Sequence, residues 1–383
     1  MSLGLTKGQE NPGCHPPCHP ELVSGSQTVT GKEIPKQVRN DKLERDFQMN
    51  KIAVLGAGSW GTTLARLLAE KDNDIRLWVY EKDLVEVIKK ERVNTLYLPG
   101  FKLPANIYPT NSLREAVESS EIILSVVPSH AVRDVFTELK EFMPDVPVLS
   151  ATKGITTDTL QTVSQVLAEV MSSATTHRRF AAISGPSFAK EVAQKHPTAI
   201  TIASSNEALA KELQALFFRS YFRVYTNIDV IGVEIGGSLK NVIAIATGCA
   251  DGLGFGHNTR AALITRGLAE IKRLGIALGA QAPTFYGLSG IGDLVLTCTG
   301  ELSRNRTLGY RLGQGVKLKD TFSELSGRGM VAEGVKTAKA ASELAKKYNV
   351  SMPITQEVYS LLYEEKNVQQ VVHDLMMREA GGE

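Results

Sequence analysis

From Lys51 onward, short apolar runs alternate with stretches whose apolar positions recur at helical spacing. KIAVL (51–55) is followed by a glycine turn and a helical pattern from Ser59 to about Lys71. IRLWVY (75–80), EIILSVV (121–127), VPVLS (146–150), FAAIS (180–184) and TAITIAS (198–204) repeat the short run, with helical Lys82–Arg92 and VRDVFTELKEF between them. Apolar runs of this kind, separated by helices, predict a mainly parallel, doubly wound sheet covered on both faces. After about Asn227 the period changes, and long Ala-, Leu- and Ile-rich stretches with helical spacing dominate. The expectation is an α/β domain over 49–227 and an all-α domain over 228–383. Residues 1–48 show neither period and are rich in Pro, Gly, Ser and charge. They read as a disordered extension or a start-site artefact, since such a stretch buries too little to offset its ordering entropy.

Composition narrows the function classes. The 43 basic and 41 acidic side chains of this 383-residue chain leave a charge of +2. That excludes a chain-wide field for nucleic acid or an anionic membrane. Four cysteines, Cys14, Cys18, Cys249 and Cys298, are too few for a disulfide scaffold and suit a reducing cytosol. The first 20 residues lack the apolar core of a signal peptide. Val230–Ala250 is apolar enough to suggest a membrane span, but it carries Glu234 and Lys240, which are costly in lipid. A buried helix in a cytoplasmic protein is expected. CHPPCH (14–19) has zinc-ligand residue types. Its adjacent, proline-stiffened ligands do not converge on one tetrahedron, so no metal is assigned.

Gly56-Ala57-Gly58-Ser59-Trp60-Gly61 fits G-x-G-x-x-G between a strand and a helix, the context in which it binds a dinucleotide. Gly56 serves the tight turn, Gly58 the approach to a pyrophosphate, and Gly61 close helix–strand packing. The sheet domain is therefore expected to be Rossmann-type. Beyond the second strand, Tyr80-Glu81-Lys82-Asp83 interleaves acid and base, so NAD and NADP both stay open. Lys153, in Thr152-Lys153-Gly154, ends a strand beside glycine, where an anionic ligand or bulk water is its partner. Ser184-Gly185-Pro186-Ser187 offers backbone amides and a hydroxyl at a helix start. His130, in SVVPSH, is a weaker candidate base than Ser129 is a helix cap.

Lys240 lies in IGGSLKNVIAIATG, a mostly apolar helical stretch. Glu234, six residues back, is on another face, so Lys240 has no partner within its own helix. It either reaches the surface along its stem or is buried with a pKa lowered toward the range of proton transfer. Gly287–Leu294 reads as a glycine-rich turn placing Asp293 before the apolar run LVLT. Ser303-Arg304-Asn305-Arg306 concentrates a hydroxyl, an amide and two guanidiniums, a set suited to phosphate.

Together these blocks, with NTLYLPG (94–100), DGLGFGHNTRAALITRGLAE (251–270) and VAEG (331–334), resemble the bacterial-type NAD(P)-dependent glycerol-3-phosphate dehydrogenases. The resemblance runs from about Met49 to about Met377. It implies reversible hydride transfer between NAD(P)H and dihydroxyacetone phosphate, giving sn-glycerol 3-phosphate for glycerophospholipid synthesis. It implies Lys240 as general acid/base, Lys153 holding the substrate oxygen, and Asp293 contacting substrate and positioning the lysines. Gly185 and Ser187 would line the substrate, and Ser303, Arg304 and Asn305 would grip its phosphate. Gly56, Gly58, Ser59, Trp60, Gly61, Tyr80, Lys153 and Ala189 would meet the cofactor, with Arg304, Val331 and Glu333. A homodimer is compatible with the apolar helical domain. The competing readings are a 3-hydroxyacid dehydrogenase or ketopantoate reductase, and a noncatalytic dinucleotide sensor.

Overall fold

The computed structural model describes residues 51–171, 179–327 and 333–377. The expected extension at 1–48, the CHPPCH segment and Val331 lie outside the described residues. Eight strands form one sheet: β1 (Lys51–Leu55), β2 (Asp74–Trp78), β3 (Ile107–Thr110), β4 (Ile122–Ser125), β5 (Val148–Ser150), β6 (Phe180–Ser184), β7 (Thr198–Ala203) and β8 (Phe222–Asn227). Their spatial order is β3-β2-β1-β4-β5-β6-β7-β8. The order reverses direction beside β1, which is the switch point where doubly wound sheets bind ligands. All neighbouring pairs are parallel except β6 and β7.

β1 is fully buried after its first residue, and its side chains go to both faces. Ile52 and Val54 join one core with Leu64, Leu68 and Leu124, while Ala53 and Leu55 join another with Ile123, Phe136 and Leu167. This is why the parallel strands read as continuous apolar runs rather than as alternation. On the first face lie α1 (Ser59–Ala69), α2 (Lys82–Glu91) and α7 (Glu207–Phe217). On the other lie α3 (Leu113–Val117), α4 (Val132–Leu139) and α5 (Val163–Met171).

Two strands escaped the sequence reading. β3 contains Pro109, which signals a loop and is tolerated here because β3 is an edge strand. β8, FRVYTN, alternates buried and exposed positions at the opposite edge and so lacks the apolar run that marks the central strands. The antiparallel entry of β7 was not anticipated either. Between β6 and β7 lies only the five-residue α6 (Ala189–Ala193), which is held against α1 by Thr63 and Arg66.

After Asn227 the described residues are helical. α8 (Val230–Gly252) begins at an Asp229 cap whose carboxylate accepts from the Gly232 amide at 2.9 Å. It is the one described helix long and apolar enough to cross a membrane, and 83% of its apolar window is buried within the fold. Around it pack α9 (His257–Ala277), α10 (Asp293–Thr299), α11 (Arg304–Gly313), α13 (Glu333–Lys347) and α14 (Pro353–Tyr363), while α12 (Leu318–Gly327) lies against α11 and α15 (Val368–Met376) against α14. LVLT, expected only as an apolar run, is the body of α10. Glu270 of α9 is buried, and its carboxylate accepts from the Ile354 and Thr355 amides at the start of α14.

Candidate active site

Three charged side chains meet between the sheet and the helices. Lys153, just after β5, donates to Asp293 Oδ2 at 2.8 Å, and Lys240, in the middle of α8, donates to Asp293 Oδ1 at 2.5 Å. Lys240 also donates to Thr297 Oγ1 at 2.8 Å, and the Ser184 hydroxyl stands 3.4 Å from Asp293 Oδ2. Asp293 is fully buried and Lys240 is 6% exposed, so neither ion is solvated. Lys240 finds no partner within α8, as its spacing predicts, and takes its counterion from α10, 53 residues along the chain. It does not reach the surface.

Glycines bring these parts into contact. A Cβ at Gly237 would meet Ser184 Oγ at 2.5 Å, and one at Gly236 would meet the Ser289 carbonyl at 2.5 Å. The helix can therefore approach the end of β6 and the π-turn Leu288–Gly292 one turn before Lys240. That turn feeds directly into α10, setting Asp293 in its first residue.

The electrostatics follow from burial and pairing. Burial pushes the Lys240 ammonium down to about 8, with Lys153 adding to the fall and Asp293 opposing it. Burial alone would raise the Asp293 carboxyl, but the two ammoniums beside it outweigh that and hold it below the usual carboxylate range. Glu333, at the start of α13, is raised by desolvation, against the pull of Arg304, Lys153 and Lys240. The cluster carries two positive charges on one carboxylate, a surplus suited to an anion or a developing alkoxide.

The glycine loop lies at the carboxyl end of β1. Gly56 has φ +111°, and a Cβ there would meet the Val126 carbonyl at 2.9 Å. A Cβ at Gly61 would lie 1.9 Å from the Gly56 carbonyl oxygen, whereas one at Gly58 would have nothing within 4 Å. Gly58 thus leaves space that a side chain would fill, directly before the free amides of α1. The Trp60 indole N–H beside it is buried and has no hydrogen-bond partner among the described residues. These features fit a dinucleotide pyrophosphate on a helix N-terminus. Asn94 braces the loop by donating to the Ala57 carbonyl at 2.7 Å, and the Ser59 hydroxyl donates to the Tyr97 carbonyl at 2.6 Å. Ala189 accepts through its carbonyl from Thr63 of α1 at 3.2 Å. Tyr80 is 75% exposed just beyond β2.

Beyond β6, Gly185 is buried and the Ser187 hydroxyl donates to the Gly185 carbonyl at 2.9 Å. At the start of α11 the expected polar set divides. Ser303 caps the helix, its hydroxyl accepting from the Arg306 amide at 3.2 Å. Asn305 Oδ1 accepts from the Gly334 amide at 3.0 Å. Arg306 is paired with Asp251, so of the two guanidiniums expected for an anion only Arg304 is without an ion pair among the described residues. His130 is exposed on a 3-10 turn; partial burial and Lys336 lower it against the pull of Asp134. Among the described residues the hydrogen bonds and ion pairs of the Asp293 carboxylate go to Lys153, Lys240, Ser184 and Thr297 instead. Thr297 and Ser184 were not singled out from sequence. Thr297 stands four residues after Asp293, a spacing that signals contact only once LVLT is recognised as helix.

Comparison with known proteins places the chain. The family described as NAD-dependent glycerol-3-phosphate dehydrogenase N-terminus matches residues 51–210, and the corresponding C-terminus family matches residues 229–373. A Geobacter metallireducens protein named glycerol-3-phosphate dehydrogenase (NAD(P)+) is 56% identical over 334 residues, covering 87% of this chain and 98% of its own. A crystal structure of glycerol-3-phosphate dehydrogenase from Coxiella burnetii superposes with a TM-score of 0.81 at 42% identity, covering 86% of this chain and 99% of its own. The Saccharomyces cerevisiae glycerol-3-phosphate dehydrogenase structure gives a TM-score of 0.73 at 30% identity, covering 86% of this chain and 100% of its own. The ketopantoate reductase and 3-hydroxyacid dehydrogenase readings fall away, because both halves match one other family: this chain belongs to the NAD-dependent glycerol-3-phosphate dehydrogenases.

Proposed function

We propose that the protein interconverts dihydroxyacetone phosphate and sn-glycerol 3-phosphate, with Lys240 as the general acid/base. The observation carrying this reading is the pair of ammoniums, Lys153 and Lys240, on the single buried carboxylate of Asp293. Gly56, Gly58, Ser59, Trp60, Gly61, Tyr80 and Ala189, with Arg304, Val331 and Glu333, would hold NAD or NADP, which would provide the hydride chemistry at C2.

In the reductive direction Lys240 Nζ donates a proton to the C2 oxygen, and the neutral amine takes it back in oxidation. A lysine poised at about 8 serves both directions near neutral pH. Lys153 holds the same oxygen and stabilises negative charge on it. Asp293 keeps both ammoniums in register, touches a substrate hydroxyl, and remains ionised because its two partners hold its pKa down. Gly185 and Ser187 line the substrate. Arg304 supplies the main cation for the phosphate, with Ser303 and Asn305 contributing the polar groups their caps leave free. The dianionic substrate meets fixed positive charge in a partly desolvated cleft, where such charge acts most strongly.

The same reading places the domain division between 227 and 228, supported by the end of β8 at Asn227 and the start of α8 at Val230. It also places the enzyme in the cytoplasm, where Cys249 and Cys298, buried and unpaired, stay reduced. The product would supply glycerophospholipid synthesis. Sedimentation would test a homodimer.

The deciding experiment follows loss of NADH or NADPH absorbance with dihydroxyacetone phosphate and, in parallel, with unphosphorylated dihydroxyacetone. Rapid turnover of the phosphorylated ketone alone supports the reading. Cofactor binding without turnover of either ketone would support the sensor.

A further inference from the structure

Asp251 ends α8 in a place where a carboxylate is unfavourable, since the C-terminal end of a helix already carries partial negative charge. Its side chain is only 5% exposed. Two guanidiniums take up its two oxygens. Arg260 of α9 holds Oδ1 through Nε at 3.0 Å and Nη2 at 2.6 Å. Arg306 of α11 holds Oδ2 through Nε at 2.9 Å and Nη2 at 2.7 Å. One carboxylate thus ties the end of α8 to the first turns of two other helices.

Between Asp251 and Lys240 the two helices α8 and α11 touch backbone to backbone. A Cβ at Gly248 would meet the Arg306 carbonyl at 2.1 Å, and one at Gly309 would meet the Ile245 carbonyl at 2.0 Å. Near the other end, a Cβ at Gly334 would meet both Asn305 Oδ1, at 2.7 Å, and the Asn241 carbonyl, at 2.8 Å. The start of α11 therefore lies beside the residue that follows Lys240. Glycines permit this close approach but do not fix the rotation or the sliding of α11 along α8. The charge clamp at Arg306, in the first turn of α11 and two residues after Arg304, supplies that restraint.

We infer that Asp251 is a positioning residue for the phosphate end of the substrate. Acting through Arg306, it fixes the first turn of α11 so that Arg304 meets the phosphate while the carbonyl sits at Lys240. The inference rests on the proposed placement of the phosphate at the α11 N-terminus.

The test compares Asp251→Asn, Arg306→Gln and Arg304→Gln with the unmodified enzyme. The readouts are KM for dihydroxyacetone phosphate, kcat, KM for NADH, and the inhibition constant of inorganic phosphate. Asp251→Asn is expected to raise KM and the phosphate inhibition constant together by roughly tenfold, as for loss of a charge-assisted contact, with kcat and KM for NADH changed by less than about threefold. Arg306→Gln reads the same clamp from its other end and decides the matter if Asp251→Asn does not fold. A large effect of Arg304→Gln on KM, with neither clamp variant altering KM or the phosphate constant, would overturn the inference alone. No effect of Arg304→Gln on either constant would instead overturn the phosphate placement beneath it.

Discussion

Lys240 donates to Asp293 Oδ1 across 2.5 Å although the two belong to different helices, and the same lysine is pushed down to about 8 by burial. The pairing keeps a buried ammonium available, and the burial keeps its proton loosely held. Lys240→Ala is therefore expected to lower kcat by at least about a hundredfold, the usual scale of general acid catalysis. Dinucleotide binding, followed by fluorescence titration, should survive. Near-normal turnover would rule out the role.

The two directions of the reaction should also depend oppositely on pH. Reduction needs the ammonium, so kcat/KM for the ketone should fall as pH rises through about 8. Oxidation needs the neutral amine, so kcat/KM for the alcohol should rise through the same region. Because Asp293 opposes the fall in the lysine's pKa, Asp293→Asn should move both limbs to lower pH. Coincident profiles for the two directions would contradict the assignment.

The glycines of one short motif are expected to fail differently. An added Cβ at Gly58 meets nothing within 4 Å, so Gly58→Ala should change stability by less than about 1 kcal/mol. It should weaken dinucleotide binding by about tenfold or more, since the methyl occupies the space left for the pyrophosphate. At Gly61 the Cβ would lie 1.9 Å from backbone, and Gly61→Ala should cost more than about 1 kcal/mol by overpacking. Urea unfolding and a binding titration separate the two. Equal losses of stability would show that the motif acts only as a tight turn.

Much of this was legible in the sequence, for identifiable reasons. The central strands are buried on both faces, so they appear as unbroken apolar runs. The edge strands β3 and β8 carry proline or alternation and do not. The glycine motif and Lys240 stood out because their residue types are unusual where they occur. What local spacing hid was partnership, which for Asp293 and the lysines came only through the family resemblance. Nothing local to Lys240 identifies Asp293 as its counterion, and nothing in Ser303-Arg304-Asn305-Arg306 reveals that Asp251 occupies one of the two arginines. Those contacts depend on helix crossings set by glycines far apart in the chain.

The cofactor preference turns on the end of β2. Tyr80 is exposed and lies edge-on to Trp78, with ring centroids 6.1 Å apart, and Glu81 accepts from the Tyr97 hydroxyl at 2.7 Å. Burial and this hydrogen bond raise the Tyr97 phenol to about 12, so it stays a donor. A tethered carboxylate at this point disfavours a 2′-phosphate, whereas an arginine would accept one bidentately. Tyr80→Arg should raise the ratio of kcat/KM for NADPH over NADH by roughly tenfold. An unchanged ratio would place the discriminating contact elsewhere.

Glu234 links the two halves of the fold in a way that should be visible in pH-dependent stability. From α8 its carboxyl accepts from the Ser164 amide at 2.9 Å and the Ser164 hydroxyl at 2.5 Å, in the first turn of α5. Burial raises it from an ordinary 4.5 to about 7, despite the hydrogen bonds that favour the charged form. Between those values the folded protein holds a proton that the unfolded chain releases. Its contribution to stability is therefore fully present below 4.5 and lost as pH rises through about 7. Glu234→Gln is neutral throughout and keeps an acceptor for the Ser164 amide. The melting temperature of Glu234→Gln, minus that of the unmodified protein, should become more positive between about pH 5 and pH 8. Parallel melting curves across that range would show that Glu234 is ionised in the folded state and that its hydrogen bonds outweigh its burial.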